Sequence, residues 1–295
     1  MNLRKLLLWR DNEVYGHGQI LRAHCNRSGT ILGHVQHGWN PGTGWELIGK
    51  DLLRKRSRRI VWGERQTLRS RDLGIRVRAA IGAPWLYLNL NGGGVVEEIS
   101  SAPRYIFFPM HGTDMHPLDD RPLSLIEAIE IAGESKLTIC LFWRDIQDPS
   151  NAYIKLARER GLEVVTAGSP ENGSFLENLR LILSAHTHYV SNRVTTSAFY
   201  AINLGLEVNF TSSNPRIKGE QFEDSRLVQI ASELVSATHD RPALEAIADY
   251  ELGARYLREP NELSDILGLA YPENLAKYPL LAASALSRIS RRVGI

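Results

Sequence analysis

The chain has 295 residues, of which 43% are hydrophobic and 23% are charged, the composition of an ordinary globular protein. This length suits two domains of about 100 to 200 residues and buries a large core without disulfide staples. The formal net charge of +2 conceals an asymmetry, because residues 1–100 are net basic and the remainder is net acidic. The composition argues against extended disorder, and no internal repeat is visible.

Cysteine usage and hydropathy bear on the compartment. Cys25 and Cys140 are the only cysteines and lie in unrelated contexts, which favours a reduced interior. The apolar run near the N-terminus is about four residues long, too short for the core of a signal peptide. No run approaches the ~20 apolar residues of a membrane span. We therefore expect a soluble, cytoplasmic protein.

The sharpest basic cluster is KDLLRKRSRR, from Lys50 to Arg59. Such a run usually forms a solvated face, and it otherwise binds an anionic membrane surface or an acidic acceptor. The second alternative would place the protein peripherally at the inner face of the plasma membrane. Nucleic acid is not expected as a partner, because no interleaved aromatic residues and no helix-turn-helix pattern accompany the cluster.

Three apolar stretches of strand length come first along the chain, at residues 29–38, 58–64 and 76–84. A glycine-rich segment, NGGGVVEEISSAP at residues 91–103, follows them and is typical of a linker.

After this linker, strand and helix patterns alternate regularly, and from about residue 221 only helical patterns remain. The predicted strands span 105–110, 136–143, 163–168, 187–190 and 206–210. The predicted helices between them span 122–133, 150–161, 174–185 and 196–205.

Strand–helix alternation with continuously apolar strands predicts parallel sheets covered on both faces, which is an α/β fold. We expect two doubly wound, Rossmann-like domains that face a cleft, followed by a C-terminal helical tail. The predicted boundaries are 1–95 for an acceptor-side domain and 96–220 for a nucleotide-sugar-binding domain. Residues 221–295 are expected to form helices that pack on the domains and bridge them.

The turn SNRVTTS, residues 191–197, follows a predicted strand, where ligands of open parallel sheets collect. A helix that begins near Thr196 presents free backbone N–H groups and the positive end of its dipole, which favour an anion. Thr195, Thr196 and Ser197 add hydroxyl donors, and Arg193 adds a countercharge. The alternative is an ordinary helix N-cap, which needs only one hydroxyl.

A second polar loop, PMHGTDMHPLDD, places His111, Asp114 and His116 within six residues after a predicted strand. Two histidines and one carboxylate at this spacing match no well-defined zinc pattern, which makes a metal site the less favoured alternative. The favoured alternative is hydrogen bonding of a substrate's hydroxyls or phosphate by the imidazoles.

In the first half of the chain, the stretch QHGW contains Gln36, His37, Gly38 and Trp39 at a predicted strand end. Gly38 keeps the backbone open for a ligand, and Trp39 stacks on a sugar ring or covers the hinge. Histidine titrates nearest neutrality among the side chains, so His37 is either a general base or a structural histidine. Glu64, at the next strand end, is either a second base or half of a salt bridge.

Several enzyme classes lack their sequence motifs in this chain. There is no GxGxxG after a strand, no GxxxxGK[ST] and no GxSxG. Dinucleotide oxidoreductases, P-loop NTPases and α/β-hydrolases are therefore disfavoured.

Three stretches, VQHGW (35–39), VWGER (61–65) and SNRVTTSAFYAINLGLEV (191–208), resemble the GT-B superfamily of nucleotide-sugar glycosyltransferases. The likeness is to bacterial enzymes of capsule and lipopolysaccharide assembly, and it covers residues 29–210 in layout. The third stretch looks like the one in which these enzymes hold the donor's phosphates.

The chain departs from the GT-B pattern in two respects. The donor helix from Ser197 to Leu204 carries no carboxylate for the ribose. The first domain is short, so acceptor contacts are sparse or are shared with a second subunit of a homo-oligomer. The pair His116 and Pro117 is similar to a motif of bacterial sialyltransferases and Kdo transferases, which leaves the type of sugar open.

The resemblance implies a metal-independent, inverting glycosyltransferase without a cofactor, which moves a sugar from a nucleotide-activated donor to a glycan or glycolipid in surface-polysaccharide biosynthesis. It implies His37 as the base and Glu64 in reserve, with Gln36, Gly38 and Trp39 on the acceptor side. The donor-side residues that it implies are His111, Asp114, His116, Arg144, Asn192, Arg193, Thr195, Thr196 and Ser197.

Two alternatives stay open beside glycosyl transfer. A nucleotide-sugar 2-epimerase shares the two-domain layout but needs carboxylates placed to remove a C2 proton. A non-catalytic binding protein would retain the fold without turnover.

Overall fold

The computed structural model describes residues 10–39, 59–72, 74, 76–90, 102–111, 118–119, 122–212, 216–217 and 225–269. These residues form an α/β structure with parallel sheets of three and five strands, which confirms the predicted α/β class. The strands are β1 (His34–Val35), β2 (Arg59–Val61), β3 (Val77–Ala80), β4 (Arg104–Phe108), β5 (Leu118–Asp119), β6 (Lys136–Cys140), β7 (Glu163–Val165), β8 (His188–Ser191), β9 (Glu207–Phe210) and β10 (Arg216–Ile217).

The helices predicted at 122–133, 150–161, 174–185 and 196–205 are all present. In chain order, the helices are α1 (His17–His24), α2 (Glu64–Asp72), α3 (Pro84–Leu90), α4 (Leu123–Ala132), α5 (Trp143–Gln147), α6 (Ala152–Glu159), α7 (Phe175–Ser184), α8 (Thr196–Asn203), α9 (Ser225–Ser236), α10 (Arg241–Leu252) and α11 (Pro260–Leu267). Short 3₁₀ segments, Arg10–Gly16 and Ala254–Tyr256, precede α1 and α11.

The chain divides into two compact units. The first unit holds the described residues of 1–37, 49–93 and 253–295, and the second holds those of 38–48 and 94–252. Helices α9 and α10 therefore belong to the second unit, while α11 returns to the first.

The first unit is built on the parallel sheet β1-β2-β3. Its core contains Trp62, Trp85 and Tyr87, all fully buried. The Tyr87 hydroxyl donates a hydrogen bond to the Ile81 carbonyl over 2.5 Å and accepts one from the Arg258 backbone N–H over 2.9 Å. The buried tyrosine thereby fastens the segment before α11 to the segment after β3.

The return of the chain to the first unit passes through Gly253, which has a φ of 72°. A Cβ at this position would overlap the backbone of Trp62 and Gly63, which follow β2. Only glycine combines this left-handed conformation with so close an approach of two backbones.

The second unit is built on the five-stranded parallel sheet β7-β6-β4-β8-β9. The chain builds β4, β6 and β7 outward in one direction, then returns to the other side of β4 with β8 and β9. The direction of winding therefore switches between β4 and β8, whose Phe108 and Ser191 are paired at their carboxyl ends. Ligands of doubly wound sheets bind at such a switch point.

Both faces of β8 are covered, as the continuous apolar strands predict. Val190 belongs to a core cluster with Leu125 of α4 and Ile154 of α6. Tyr189 points to the opposite face, since successive strand residues alternate, and its hydroxyl contacts Ser197 of α8.

Three short elements of the second unit are not predicted by the sequence patterns. They are helix α5 and the strands β5 and β10, which pair antiparallel. All three are only a few residues long, and hydrophobic periodicity does not detect elements of this length. No helix in the described part of the chain has the length and hydrophobicity that a membrane crossing requires.

Gly253→Ala should lower the free energy of unfolding more than Gly74→Ala does. Both glycines have positive φ, so each substitution adds the strain of a left-handed residue, about 1 kcal/mol. Only at Gly253 does the added Cβ also meet a backbone, since the space around Gly74 is open. Urea denaturation measures both losses, and equal losses would contradict the close approach to Trp62.

Candidate functional site

The loops that follow β4 and β8 are held together at the switch point of the second unit. The Ser191 hydroxyl donates a hydrogen bond to the Phe108 carbonyl over 2.7 Å. The Met110 backbone N–H donates one to Asn192 Oδ1, also over 2.7 Å. The polar turn after β8 is thus fixed to the loop after β4.

Asn192 is the centre of a buried polar network at this point. Its side chain amide donates to the Ser124 hydroxyl at the start of α4 over 3.2 Å, and Ser124 is 2.8 Å from the Tyr153 hydroxyl. Asn192 is only 2% exposed, and both ends of its amide bind protein atoms. The predicted donor-side residue Asn192 therefore lies in the framework that carries the turn.

Arg193 follows directly and is partly exposed. One guanidinium nitrogen, Nη1, lies 3.7 Å from the sulfur of Met110. The backbone of Arg193 is held by the Ser191 hydroxyl, 2.9 Å from its carbonyl oxygen. The guanidinium therefore lies beside the loop after β4.

Helix α8 begins at Thr196 without a side chain cap. Thr195 occupies the N-cap position in an extended conformation, but its hydroxyl bonds to the Ser197 hydroxyl, 2.9 Å away, and not to the helix backbone. Ser197 is in turn 2.8 Å from the hydroxyl of the buried Tyr189. The first turn contains no acidic residue. The positive end of this helix is therefore lined with hydroxyls and carries no acidic side chain of its own in the first turn.

Gly38 and Trp39 belong to the second unit and lie against α8. The Trp39 backbone N–H donates to the Thr196 hydroxyl over 3.2 Å. The centroids of the Trp39 and Phe199 rings are 4.8 Å apart. The indole N–H donates to a carboxylate oxygen of the buried Glu251 over 2.7 Å. These predicted acceptor-side residues are therefore neighbours of the predicted donor-side turn.

The loop after β4 also meets the loop after β6. The exposed His111 stacks on Phe142, with 4.2 Å between ring centroids and 6° between ring planes. Burial raises the pKa of Asp145 above its usual value, and the nearby His111 opposes part of that rise. Arg144 is exposed and lies over the Trp143 ring, 5.3 Å from its centroid. Asp114 and His116 lie outside the described residues.

In the first unit, Gln36 joins the ends of β1 and β2. Its side chain oxygen accepts a hydrogen bond from the Trp62 backbone N–H over 2.8 Å, and its carbonyl accepts one from the Trp62 indole over 3.2 Å. Gln36 is buried, and these two hydrogen bonds make it part of the framework of the first unit.

His37 lies in a ring cluster with Tyr15 and His17. Its ring centroid is 4.8 Å from that of Tyr15 and 6.3 Å from that of His17. His17 is 1% exposed, and burial, reinforced by His37, lowers the pKa of His17 to about 3. His17 is therefore a neutral imidazole near physiological pH.

Glu64, the second candidate base, lies at the start of α2 and forms a salt bridge with Arg255 in the first unit. Arg255 also donates to the Tyr256 hydroxyl over 2.8 Å. The carboxylate is thus engaged by a cation, which is the structural alternative that the sequence left open.

The sequence patterns missed three residues of these clusters. Tyr15 and His17 lie in YGHG, where two glycines around a histidine before a helix could have marked the segment. Glu251 lies in an ordinary amphipathic helix, and nothing in its local pattern distinguishes it from a surface carboxylate.

Two further features considered from the sequence are a metal site and the basic cluster Lys50 to Arg59. Within the described residues, no three His, Cys, Asp or Glu side chains come close enough to hold a metal ion. Arg59, the last residue of the basic cluster, is buried in β2, whereas residues 50–58 lie outside the described part of the chain.

Comparison with known proteins adds no assignment to this geometry. No model of a protein family matches the chain, and no curated protein matches it.

Asn192→Ala should lower the free energy of unfolding by about 1–3 kcal/mol, since the Met110 N–H and the buried Ser124 hydroxyl both lose a partner. Asn178→Ala is the matched control, because Asn178 makes one longer bond, 3.3 Å to the Ala167 carbonyl. Chemical denaturation compares the two variants. A loss at Asn192 no larger than that at Asn178 would contradict its framework role.

His17→Gln should make the protein less sensitive to acid. The pKa of His17 is lowered in the folded protein, so the unfolded chain takes up the proton first, and stability falls as the pH drops from about 6.5 towards 3. Between about pH 6.5 and 5 this effect lowers the free energy of unfolding of the wild-type protein by about 2 kcal/mol.

Urea denaturation at pH 7.5 and pH 5 measures the difference. His239→Gln removes an exposed histidine and is the control. If His17→Gln and wild type lose equal stability on acidification, His17 is not buried in its neutral form.

Proposed function

We propose that this protein is a metal-independent, inverting glycosyltransferase of the GT-B arrangement. It would move a sugar from a nucleotide-activated donor to a glycan or glycolipid acceptor in surface-polysaccharide synthesis. The observation that carries the proposal is the turn after β8, where Arg193 and the uncapped, hydroxyl-lined start of α8 meet at the switch point of the sheet.

This turn suits the phosphates of a donor. The start of a helix carries a partial positive charge, and α8 has no acidic side chain in its first turn to offset it. The hydroxyls of Thr195, Thr196 and Ser197 surround that start, and the Arg193 guanidinium supplies a full positive charge with a forked donor geometry. A phosphate bound here would be stabilised by both dipole and charge.

The same groups would assist departure of the nucleotide. When the bond between the anomeric carbon and the phosphate oxygen breaks, negative charge grows on that oxygen. Donors already aimed at this position stabilise the transition state without reorganising. We propose that His111, from the loop after β4, also contacts the nucleotide-sugar donor. Its stacking on Phe142 would fix the plane of its ring.

The acceptor requires a base, and His37 is the candidate that we propose. Its ring lies beside those of Tyr15 and His17, with centroids 4.8 and 6.3 Å away. The other candidate, Glu64, forms a salt bridge with Arg255. In the proposed step the acceptor oxygen attacks the anomeric carbon, its proton passes to His37, and the nucleotide leaves with the bonding electrons. A single displacement of this kind inverts the anomeric centre.

No cofactor is required by this scheme. The proposal includes three further predictions. The basic cluster binds an anionic membrane, the protein is cytoplasmic, and it forms a homo-oligomer.

Arg193→Gln should weaken nucleotide binding about tenfold to a hundredfold, the loss expected for a charge-assisted hydrogen bond to phosphate. The ligand is first chosen by thermal shift with CMP, UDP, GDP and dTDP, and its affinity is then measured by calorimetry. Arg158→Gln makes the same charge change on an exposed residue in the last turn of α6, at the opposite edge of the sheet, and should leave affinity unchanged.

Absence of binding to all four nucleotides, or equal effects of the two variants, would contradict the donor site. Incubation of the corresponding nucleotide sugars without acceptor separates the alternatives, because an epimerised product would identify a 2-epimerase. Binding without turnover on any acceptor would identify a non-catalytic binding protein.

A further inference from the structure

The first unit contains a buried imidazole with an unsatisfied nitrogen. His17 Nε2 lies below the surface, and no hydrogen-bond partner is found for it among the described residues. The rings of Tyr15, His37 and Trp62 lie around the His17 ring, with centroid-to-centroid distances of 5.7, 6.3 and 6.3 Å.

A buried nitrogen in this state is costly. Leaving such a group without a partner costs about 1–3 kcal/mol, and the large majority of buried polar atoms in proteins have a partner. His17 Nε2 therefore indicates an oxygen or nitrogen atom that joins the protein from outside, either a water molecule or a ligand.

The spacing of the two imidazoles fits one shared atom. A direct N–H···N bond of about 2.9 Å would bring the ring centroids of His17 and His37 closer than 6.3 Å, since each nitrogen lies close to its ring centre. One oxygen between the rings can hydrogen-bond to both at ordinary distances. The separation thus suits a bridging oxygen better than a direct contact.

The adjoining turn has a strained backbone, which is a common feature of functional sites. Tyr15 has a φ of 61°, a left-handed conformation that costs a non-glycine residue about 1 kcal/mol or more, and Gly16 continues it with a φ of 79°. This turn sets the Tyr15 ring at 4.8 Å from His37. Burial raises the pKa of Tyr15, so its hydroxyl keeps its proton. Aromatic rings beside polar nitrogens are the usual walls of a small-molecule site.

We propose that His17 and His37 together bind one hydroxyl of a carbohydrate acceptor, and that His17 is a second catalytic imidazole. This inference rests on the proposed function, because it names the acceptor of the same reaction. His17 Nε2–H donates a hydrogen bond to the hydroxyl oxygen, and that hydroxyl donates its proton to His37.

The two imidazoles have different tasks in the step. As the acceptor oxygen forms its bond to the anomeric carbon, its proton moves to His37 and becomes part of an imidazolium. His17 keeps its own proton and stabilises the negative charge that develops on the oxygen. Its neutrality serves this task, because a second positive charge beside His37 would oppose the proton transfer.

The test uses full-length protein with ¹⁵N-labelled histidine and a panel of methyl glycosides of glucose, galactose, mannose and N-acetylglucosamine. We expect at least one glycoside to shift the ring nitrogens of His17 and His37 together, with one saturation curve. His17→Phe should weaken that binding at least about tenfold, the loss expected for one buried hydrogen bond. His17→Gln retains an N–H donor and should retain binding within about threefold.

Two controls separate this result from loss of the fold. His24→Phe changes another histidine of α1, whose ring packs on Tyr87 and whose Nε2 lies 3.2 Å from the Arg258 carbonyl, and should leave glycoside affinity unchanged. The affinity of every variant for the nucleotide selected by thermal shift should equal that of wild type, since the nucleotide is assigned to the second unit.

The outcomes distinguish the two proposals. If a nucleotide binds and no glycoside shifts either ring, the acceptor inference is overturned, His17 Nε2 holds a structural water, and the donor proposal stands. If a glycoside shifts both rings and no nucleotide binds, the hydroxyl site stands and the transferase proposal fails. Equal glycoside affinity in wild type and His17→Phe would also overturn the inference.

Discussion

The second unit depends on the buried amide of Asn192. Parallel strands bring all carboxyl ends to one edge of a sheet, but they do not fix the loops that follow. Asn192 does so, because its oxygen accepts from the Met110 backbone and its nitrogen donates to Ser124. A buried amide with both ends satisfied is rigid, and the residues that follow it inherit its position. Arg193 and the start of α8 are the residues so placed.

The two units present polar groups of opposite character. At the start of α8 the second unit offers donors, a helix dipole and Arg193, all suited to negative charge. In the first unit His17 is neutral and His37 lies beside it. In our proposal His37 accepts a proton, and His17 keeps its own proton and donates a hydrogen bond. Sugar transfer from a nucleotide has both requirements, since one oxygen loses a proton while another gains negative charge.

Local patterns in the sequence predict the framework well. The apolar strands and the helices of the second unit follow from periodicity, and TSAFYAIN forms a helix where the small and apolar residues indicate one. The order of the strands brings SNRVTTS and the loop containing His111 to neighbouring strand ends, as the rule for open sheets anticipates.

Long-range contacts are what the sequence does not reveal. Trp39 contacts Thr196 and Glu251, which are 157 and 212 positions away, and no local pattern encodes such a pairing. His17 lies in a short helix whose burial depends on tertiary packing. Glu64 illustrates the opposite case, because its residue type suits either a base or an ion pair, and only the position of Arg255 favours the pair.

The most direct measurement is a crystal structure of the protein with the nucleotide that raises its melting temperature most. Phosphate oxygens should lie within hydrogen-bond distance of Arg193 and of the backbone N–H groups that begin α8. A nucleotide bound elsewhere, with the turn after β8 empty, would contradict the assignment of the donor site.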